Sequence, residues 1–394
     1  MGVKKIDFGL FLNHKRIMNH RFENSRQAFE ILGHSFGENC LTIVFSLEHL
    51  DAGQKKDWNH LEKIVEQARQ RILDAEIKHS SRLLNRLFGI SKFVDFSRND
   101  RAIGIFVSEG IAGYIRFPFK VKESVVLSDH FYLKEIYRLA QFHFPYWVVS
   151  LSEKQARLFR GLENQLMEIK DDRFPMYFID NFEYSVPSRA SSFMGSAQVK
   201  AFEHDTSIMQ KIREEEWMHI LDRRLKGYVE KKEDVILCGT KTNTDRLFAV
   251  SSLKNQIVSR LTGGYDWYDA QEFKALVWPE SRKLSKHKTE LEIDRLKQKS
   301  GEGLAESGVH SIWHLLHEGR AETVFLDEEF EQAGYISLER PDVLLDNKPS
   351  AESVYFPYLT DALLKKTVDQ GGKVVFVGAG LLPEGADVAA ICRY

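Results

Sequence analysis

A glycine and a glutamine stand three residues apart in the Ser-rich stretch PSRASSFMGSAQVKAFEHD, residues 187–205. Gly195 can adopt backbone angles that are closed to other residues, and Gln198 offers both an amide donor and a carbonyl acceptor. Arg189 and Lys200 flank this pair and could contact the phosphates of an RNA, although a lone cation more often only solvates a loop. The stretch predicts an exposed loop at residues 187–204 whose tip could enter a narrow cavity. From spacing alone an ordinary surface loop is favoured, because Gly-x-x-Gln is a very common pattern.

Three histidines form a second candidate cluster. His310, His314 and His317 fall within about 60° of one another on a helical wheel, since each residue advances an α-helix by about 100°. They could meet a metal such as zinc. However, Ile312, Leu315 and Leu316 predict a buried stripe on the opposite side, so we interpret the histidines as an exposed or interface face and predict no metal site.

Other motifs point away from common cofactors. Gly378-x-Gly380 follows a predicted strand, but too few residues remain for a dinucleotide-binding unit, so a tight turn between strands is favoured. The chain lacks a P-loop, an HExxH motif and a GxSxG motif, and we predict no cofactor. The run SRKLSKHKTELEIDRLKQK mixes lysine and arginine with acidic residues, which is typical of a solvated helix and less so of a nucleic-acid groove.

Composition bounds the class of protein. The 394 residues carry a formal net charge of −2, so binding to a polyanion must rely on local patches. Three widely spaced cysteines indicate neither a disulfide framework nor a cysteine-based zinc site, which favours the reducing cytoplasm. The sequence has no apolar run long enough for a membrane span or a signal peptide, so we expect a cytoplasmic protein without membrane contact. It does not predict the oligomeric state.

The hydrophobic patterns predict a multidomain α/β (α+β) protein. An N-terminal α/β domain, residues 1–145, is predicted to end in a helix that Pro145 stops. A central domain, 146–262, begins with a three-strand meander; an amphipathic helix at 205–230 and the doubly buried strand DVILCGT follow the exposed loop. Asn243 or Thr244 is the predicted N-cap of the next helix. A third domain, 263–394, begins with a charged helix containing Pro279 and continues as alternating helices and strands.

The order of these segments resembles the archaeo-eukaryotic class-one peptide release factors. The meander VVSLSEKQARLFRG, the loop, the long charged helix and DVILCGTKTNTDRLF look like the central domain of those factors. The segments TGGYDWYDAQEF, GVHSIWHLLHEGRAETVFLD and GADVAAICRY look like the C-terminal domain of those factors and of Pelota. The N-terminal segment looks like that of their bacterial relatives. The resemblance implies a central RNase H-like domain and a C-terminal α/β/α domain of the type found in kink-turn-binding ribosomal proteins.

In that family a Gly-Gly-Gln tripeptide enters the ribosomal peptidyl-transferase centre, and its glutamine helps to place the water that hydrolyses peptidyl-tRNA. The resemblance makes Gly195 and Gln198 the candidate catalytic residues, with the ribosome and peptidyl-tRNA, and a translational GTPase, as candidate partners. Here Ser196 and Ala197 separate the glycine from the glutamine. The motifs with which true release factors read stop codons are absent from the first domain, so stop-codon recognition is not implied.

Two alternatives remain at this stage. The chain could be a non-catalytic, Pelota-like adaptor that recognises an idle or stalled ribosome without acting on the ester. It could also be a protein-interaction or RNA-binding module without a ribosomal role, because one fold hosts many functions.

Overall fold

The computed structural model describes residues 17–33, 36–48, 54–78, 80–96, 100–142, 144–163, 165–178, 193–230, 233–265, 267–345 and 353–394. The chain divides into two compact units. The first unit comprises Met1–Gln141 and Lys288–Tyr394, and the second comprises Phe142–His287. The three predicted domains stay a prediction; the first unit combines segments from both ends of the chain.

The first part of the chain forms the following elements: β1 (Ile17–Arg21), α1 (Ser25–Leu32), β2 (Phe36–Ser46), α2 (Gln54–Asp74), α3 (Ser80–Ser91), β3 (Ala102–Val107), β4 (Ile111–Phe117), β5 (Ser124–His130), α4 (Lys134–Ala140), β6 (Pro145–Leu151), β7 (Gln155–Leu162), β8 (Gln165–Glu168), β9 (Met176–Tyr177) and α5 (Phe193–Leu225). The remainder forms β10 (Asp234–Gly239), α6 (Lys241–Val250), β11 (Ile257–Thr262), α7 (Ala270–Gly301), β12 (Ala305–Ser307), α8 (Val309–His317), β13 (Ala321–Asp327), β14 (Gly334–Ser337), β15 (Leu344–Leu345), β16 (Ser353–Phe356), α9 (Leu359–Asp369), β17 (Lys373–Val377), a 3-10 turn (Pro383–Gly385) and β18 (Val388–Cys392).

These elements confirm the predicted α/β multidomain class. In the first unit one sheet has the order β1-β4-β3-β2-β5, and α2 and α3 bury their apolar faces against it. A second sheet, β12-β18-β13-β17, carries α8 and α9 on one face. Ile293 and Leu296 of α7 pack on its other face, which gives three α/β/α layers. The Gly378-x-Gly380 segment connects β17 to β18, where Gly380 has the positive φ of 73° that glycine tolerates.

Two local predictions need correction. A helix was expected from the residues near 129 up to Pro145, but α4 covers only Lys134–Ala140, because β5 extends to His130 and Pro145 opens β6. The N-cap of α6 is Thr240 rather than Asn243 or Thr244. The Thr240 hydroxyl accepts a hydrogen bond from the Asn243 amide, which satisfies one of the free N–H groups at the helix start.

A buried carboxylate lies within the first unit. Asp361 accepts a hydrogen bond from the backbone N–H of Leu133 at 2.9 Å, and His130 Nε2 lies 3.9 Å from its other oxygen. Burial raises the pKa of Asp361 to about 6, against the ordinary value near 3.8. Ionisation of this group in the folded chain is therefore more costly than in the unfolded chain, and that cost appears as the pH rises through about 6.

We expect Asp361→Asn to stabilise the first unit at pH 8 by about 1–3 kcal/mol, because the amide still accepts from Leu133 and carries no charge. The gain should disappear near pH 4, where the wild-type carboxyl is protonated in the folded state. Denaturant unfolding at both pH values measures the difference. Asp369→Asn, an exposed change on the same helix, is the control and should stay within about 0.5 kcal/mol. Destabilisation by Asp361→Asn at pH 8 would contradict the expectation.

The second unit is built on the sheet β11-β10-β6-β7-β8, to which β9 adds at β7. The strands β6, β7 and β8 form the predicted meander, and β10 pairs in parallel with both β6 and β11. All but the first residue of β10 are buried, which confirms the prediction of a doubly covered strand. α5 and α6 cover one face of this sheet, and the first half of α7 covers the other with Phe273, Val277 and Leu284.

Among the described segments, none of the helices combines the length and the apolar character that a membrane crossing requires.

Candidate functional site

Helix α5 contains three of the four predicted site residues along its backbone. It begins at Phe193, so Gly195, Gln198 and Lys200 lie in its first turns, where a loop was predicted. The Met, Ala, Gln and Lys residues around them favour helix, and one interior glycine costs only about 1 kcal/mol. The side chains at these positions, and Arg189 altogether, lie outside the described residues. Their assignment as catalytic and RNA-binding residues stays a prediction.

The later turns of α5 attach the helix to the sheet. Trp217, Met218, Leu221 and Leu225 are buried against it, and Asp222 accepts hydrogen bonds from Ser251 and Ser252. Since an α-helix rises 1.5 Å per residue, Gln198 lies about 28 Å from Trp217 along the helix axis. The predicted catalytic residue and the packed part of α5 are therefore well separated.

The packed part of α5 borders a crevice at the carboxyl ends of two neighbouring parallel strands. The chain leaves β6 through a hairpin to β7, and it leaves β10 on the opposite side through α6 to β11. In open α/β sheets a point where the connections diverge in this way leaves a crevice outside the strand ends, and ligands commonly bind there. In this unit the loop Ser152–Lys154 and the start of α6 form the walls of the crevice.

The crevice encloses about 520 Å³, which falls within the range of small-molecule sites. Its walls come from four segments of the second unit, and its lining residues are Ser152, Glu153, Lys154, Phe178, Glu214, Trp217, Met218, Thr240, Thr242, Asn243 and Arg246. Arg246 and Glu214 form an ion pair at 2.5 Å across it. Ser152 holds the turn after β6 by accepting from the amides of Lys154 and Gln155.

A second cavity of about 600 Å³ also lies in the second unit and is lined by Gln155, Arg157, Glu168, Lys170, Asp171, Phe174, Pro175, Tyr177 and Tyr268. Its principal charged groups pair with one another. Arg157 donates to Glu168 at 2.7 Å, and this hydrogen bond lowers the pKa of that carboxyl. Asp171 accepts from the Tyr228 hydroxyl at 2.6 Å. The principal charged groups of the second cavity therefore already have partners within the chain.

The histidine cluster lies on α8 as predicted. His310 and His314 are exposed, while His317 is half-buried and hydrogen-bonds through Nδ1 to the Trp313 carbonyl. His314 lies 3.5 Å from Glu318 and 3.7 Å from Asp342. In the described part of the chain, no group of three or more histidine, cysteine or acidic side chains is arranged to hold a metal ion.

Sequence reasoning did not find the crevice, because its walls are distant in the chain. One local signal was present: the apolar strand β10 ends at Gly239 and is followed at once by the polar run Thr240–Thr244 at a helix start. A strand, a tight turn and a helix N-terminus in this order often form half of an anion site. The other half, on α5 and after β6, depends on the tertiary structure.

Comparison with known families identifies the central part of the chain. Residues 145–320 match the model of bacterial archaeo-eukaryotic release factor family 3. The match runs from the first strand of the second unit, through α5 and the crevice, to the residue before β13. The predicted resemblance to bacterial relatives of these release factors is thereby confirmed. No curated protein matches the chain.

Several solved structures share distant similarity with the chain. Pelota of Archaeoglobus fulgidus is 14% identical over 76% of this chain and 80% of its own, with a TM-score of 0.37. Dom34 of S. cerevisiae, a translation termination-like factor, is 12% identical over 76% and 82%, with a TM-score of 0.34. A chain of ribosome-bound archaeal Pelota and ABCE1 is 10% identical over 95% of both chains, with a TM-score of 0.34. Similarity at this level does not identify a function.

Proposed function

We propose that this release-factor-like chain is a translation factor that binds the ribosome and releases nascent peptides from stalled complexes. The observation that carries the proposal is the family match over residues 145–320, because it includes the elements from the meander to α8 on which the resemblance was based. Among the distant structural relatives, Dom34 interacts with Hbs1, and archaeal Pelota is described on the ribosome with ABCE1. A translational GTPase is accordingly a candidate partner.

The proposed reaction is hydrolysis of the ester that joins the peptide to tRNA. The water oxygen bonds to the ester carbonyl carbon, the bond from that carbon to the tRNA ribose oxygen breaks, and a proton passes to the ribose oxygen. The Gln198 carboxamide would orient the water, and backbone amides near Gly195 would complete its surroundings. Arg189 and Lys200 would contact rRNA phosphates. Positioning is the whole contribution of the protein, since the ribosomal RNA forms most of the site.

A second candidate function is a non-catalytic ribosome adaptor. It is favoured by the helical backbone at Gly195–Gln198, because a regular helix does not use the special backbone conformations that only glycine readily adopts. Ser196 and Ala197 carry Cβ atoms where the release-factor motif has a glycine, and this difference favours the same alternative.

Local charges limit how the chain can contact rRNA. On α7, basic side chains pair with acidic ones: Lys283 with Glu280 at 2.6 Å and Lys299 with Glu302 at 2.6 Å. Such pairs partly neutralise this helix, which carries eight lysines and arginines against five acidic residues. Together with the net charge of −2, they support a contact with rRNA that depends on shape complementarity and in which nonspecific electrostatic attraction is weak.

We expect the purified chain to co-sediment with ribosomes at low salt and to dissociate as salt rises, because each phosphate contact releases counterions. Pelleting through a sucrose cushion over a salt series measures this, with the chain alone as the control. Stalled nascent-chain complexes and vacant ribosomes should be compared in parallel. If the chain stays in the supernatant with both at low salt, the ribosomal function is refuted.

A further inference from the structure

Two residues that line the crevice carry a buried N–H group with no hydrogen-bond partner among the described residues. The two groups are Asn243 Nδ2 and Trp217 Nε1, on side chains that are only 6% and 7% exposed. A buried donor without an acceptor costs about 1–3 kcal/mol. Both side chains line the crevice, and they approach it from different helices, α6 and α5. An acceptor-rich group bound in the crevice could supply the acceptors that both donors lack.

The start of α6 adds further donors at the same place. The ten-residue helix begins at Lys241, directly after β10, and its N-cap Thr240 already accepts from the Asn243 amide. The Thr244 amide bonds to the Thr240 carbonyl. The amides of Lys241 and Thr242 precede the first helical repeat and have no carbonyl one turn earlier in the helix. Together with the helix dipole, these amides favour a negatively charged group.

The remaining walls favour a ligand that is more than a bare ion. Charges of both signs line the crevice, with Lys154 and Arg246 against Glu153 and Glu214. Carboxylates can accept from hydroxyl or amino groups of a larger molecule. Phe178 and Trp217 contribute aromatic surface, with their rings 5.8 Å apart in an edge-to-face arrangement. The volume of about 520 Å³ has room for a nucleoside phosphate.

We propose that the crevice between β6, β10 and α5 binds a mononucleotide-sized phosphate ester, with its phosphate at the N-terminus of α6. The orphaned N–H groups of Asn243 and Trp217 bind the phosphate oxygens, and the organic part lies toward Phe178. This proposal is independent of the ribosomal function, because it rests on the crevice alone. Binding at this site would make the second unit responsive to a small phosphorylated molecule.

Calorimetric titration of the full chain with AMP, adenosine and inorganic phosphate tests the site. We expect AMP to bind and phosphate to bind more weakly. Adenosine should bind at least about tenfold more weakly than AMP, because it lacks the phosphate that accepts the charge-assisted hydrogen bonds. Asn243→Leu should weaken AMP binding about tenfold. Trp217→Phe, which keeps an aromatic ring, should weaken it about threefold or more.

Asn243→Asp serves to separate a direct effect on ligand binding from an effect of misfolding. It conserves size, an acidic residue suits the first turn of a helix, and its carboxylate should repel the phosphate and weaken AMP by more than tenfold. Tyr177→Phe, which removes a hydroxyl from the second cavity, is the matched control and should leave AMP binding unchanged. Circular dichroism confirms that each variant is folded.

Four results would overturn the proposal. The first is no heat of binding with AMP or phosphate at millimolar concentrations, and the second is equal affinity for AMP and adenosine. The third is binding of AMP that neither Asn243 variant alters. An RNA oligonucleotide that binds when AMP does not would also overturn it, in favour of a polymer contact. Peptide release and ribosome co-sedimentation are separate readouts, so failure here leaves the proposed function standing.

Discussion

Gln198→Ala is expected to reduce release of labelled peptide from stalled ribosome–nascent-chain complexes by about a hundredfold or more. Under the proposed function the Gln198 carboxamide orients the attacking water, and a misplacement of about 1 Å at such a site costs about two orders of magnitude in rate. Ribosome co-sedimentation should be unchanged, because the substitution removes one amide group at the predicted tip and no charge. Measuring both quantities on the same preparations separates chemistry from binding.

Gln298→Ala is the matched control for this substitution. Gln298 is an exposed glutamine on α7 whose Nε2 donates to Glu302, so its loss tests the removal of a surface carboxamide elsewhere in the chain. We expect its release rate to equal that of the wild type. If the wild type binds ribosomes but releases no peptide, the adaptor function replaces hydrolysis. If Gln198→Ala releases peptide at the wild-type rate, Gln198 is not the catalytic residue.

Glu233→Ala is expected to destabilise the second unit by about 3 kcal/mol. Glu233 is 9% exposed and lies just before β10, where it accepts from Arg160 at 2.6 and 2.9 Å and from Trp147 Nε1 at 2.6 Å. The Arg160 guanidinium also lies over the Trp147 ring, 4.3 Å from its centroid. Alanine would leave this half-buried arginine without its counter-charge, and breaking a buried ion pair typically costs about 3–5 kcal/mol. The partial exposure of Arg160 favours the lower end.

The pH dependence of this cluster gives a second test. The hydrogen bonds from Arg160 and Trp147 lower the pKa of Glu233 to about 2. Because the folded pKa lies below the ordinary value of 4.5, the cluster contributes its full stability above pH 4.5 and loses it as the pH falls toward 2. We therefore expect Glu233→Gln, which keeps the shape, to be about 1–2 kcal/mol less stable than wild type at pH 7, with this difference shrinking steadily as the pH falls from 4.5 toward 2.

Denaturant unfolding followed by tryptophan fluorescence measures these differences, since Trp147 belongs to the cluster. Glu230→Gln is the control, because its side chain is exposed and three residues away. Its effect should stay within about 0.5 kcal/mol. Equal stabilities for Glu233→Ala and Glu230→Gln would show that the ion pair contributes nothing to the second unit.

The sequence was sufficient to predict elements whose patterns are local. The meander, the strand DVILCGT, helix α8 and the terminal strand were read from hydrophobic periodicity and turn residues, and the structure confirms them. The order of these segments also led to the release-factor resemblance that the match over residues 145–320 confirms. These features depend on residues near one another in the chain, and a single sequence displays such patterns directly.

Local patterns were less reliable where two signals competed. Ser-rich composition and a glycine predicted a loop at 187–204, yet the helix formers from Phe193 onward continue α5 toward the N-terminus. The N-cap was placed at Asn243 or Thr244, because the polar run offers several suitable side chains. Thr240 takes that position because β10 ends at Gly239 and the next residue must turn.

Only the tertiary structure decided which distant residues meet. The position of β10 between β6 and β11 brings the turn after Leu151 beside Thr240, and α5 then places Trp217 over both. The same pairing aligns Glu233 with Arg160 and Trp147. Each of these contacts closes a long loop, and its free energy comes from strand pairing and burial over the whole sheet. The periodicity of a single segment does not report this summed free energy. The sequence by itself therefore determined most of the elements, and only the fold determined which residues meet at the sites.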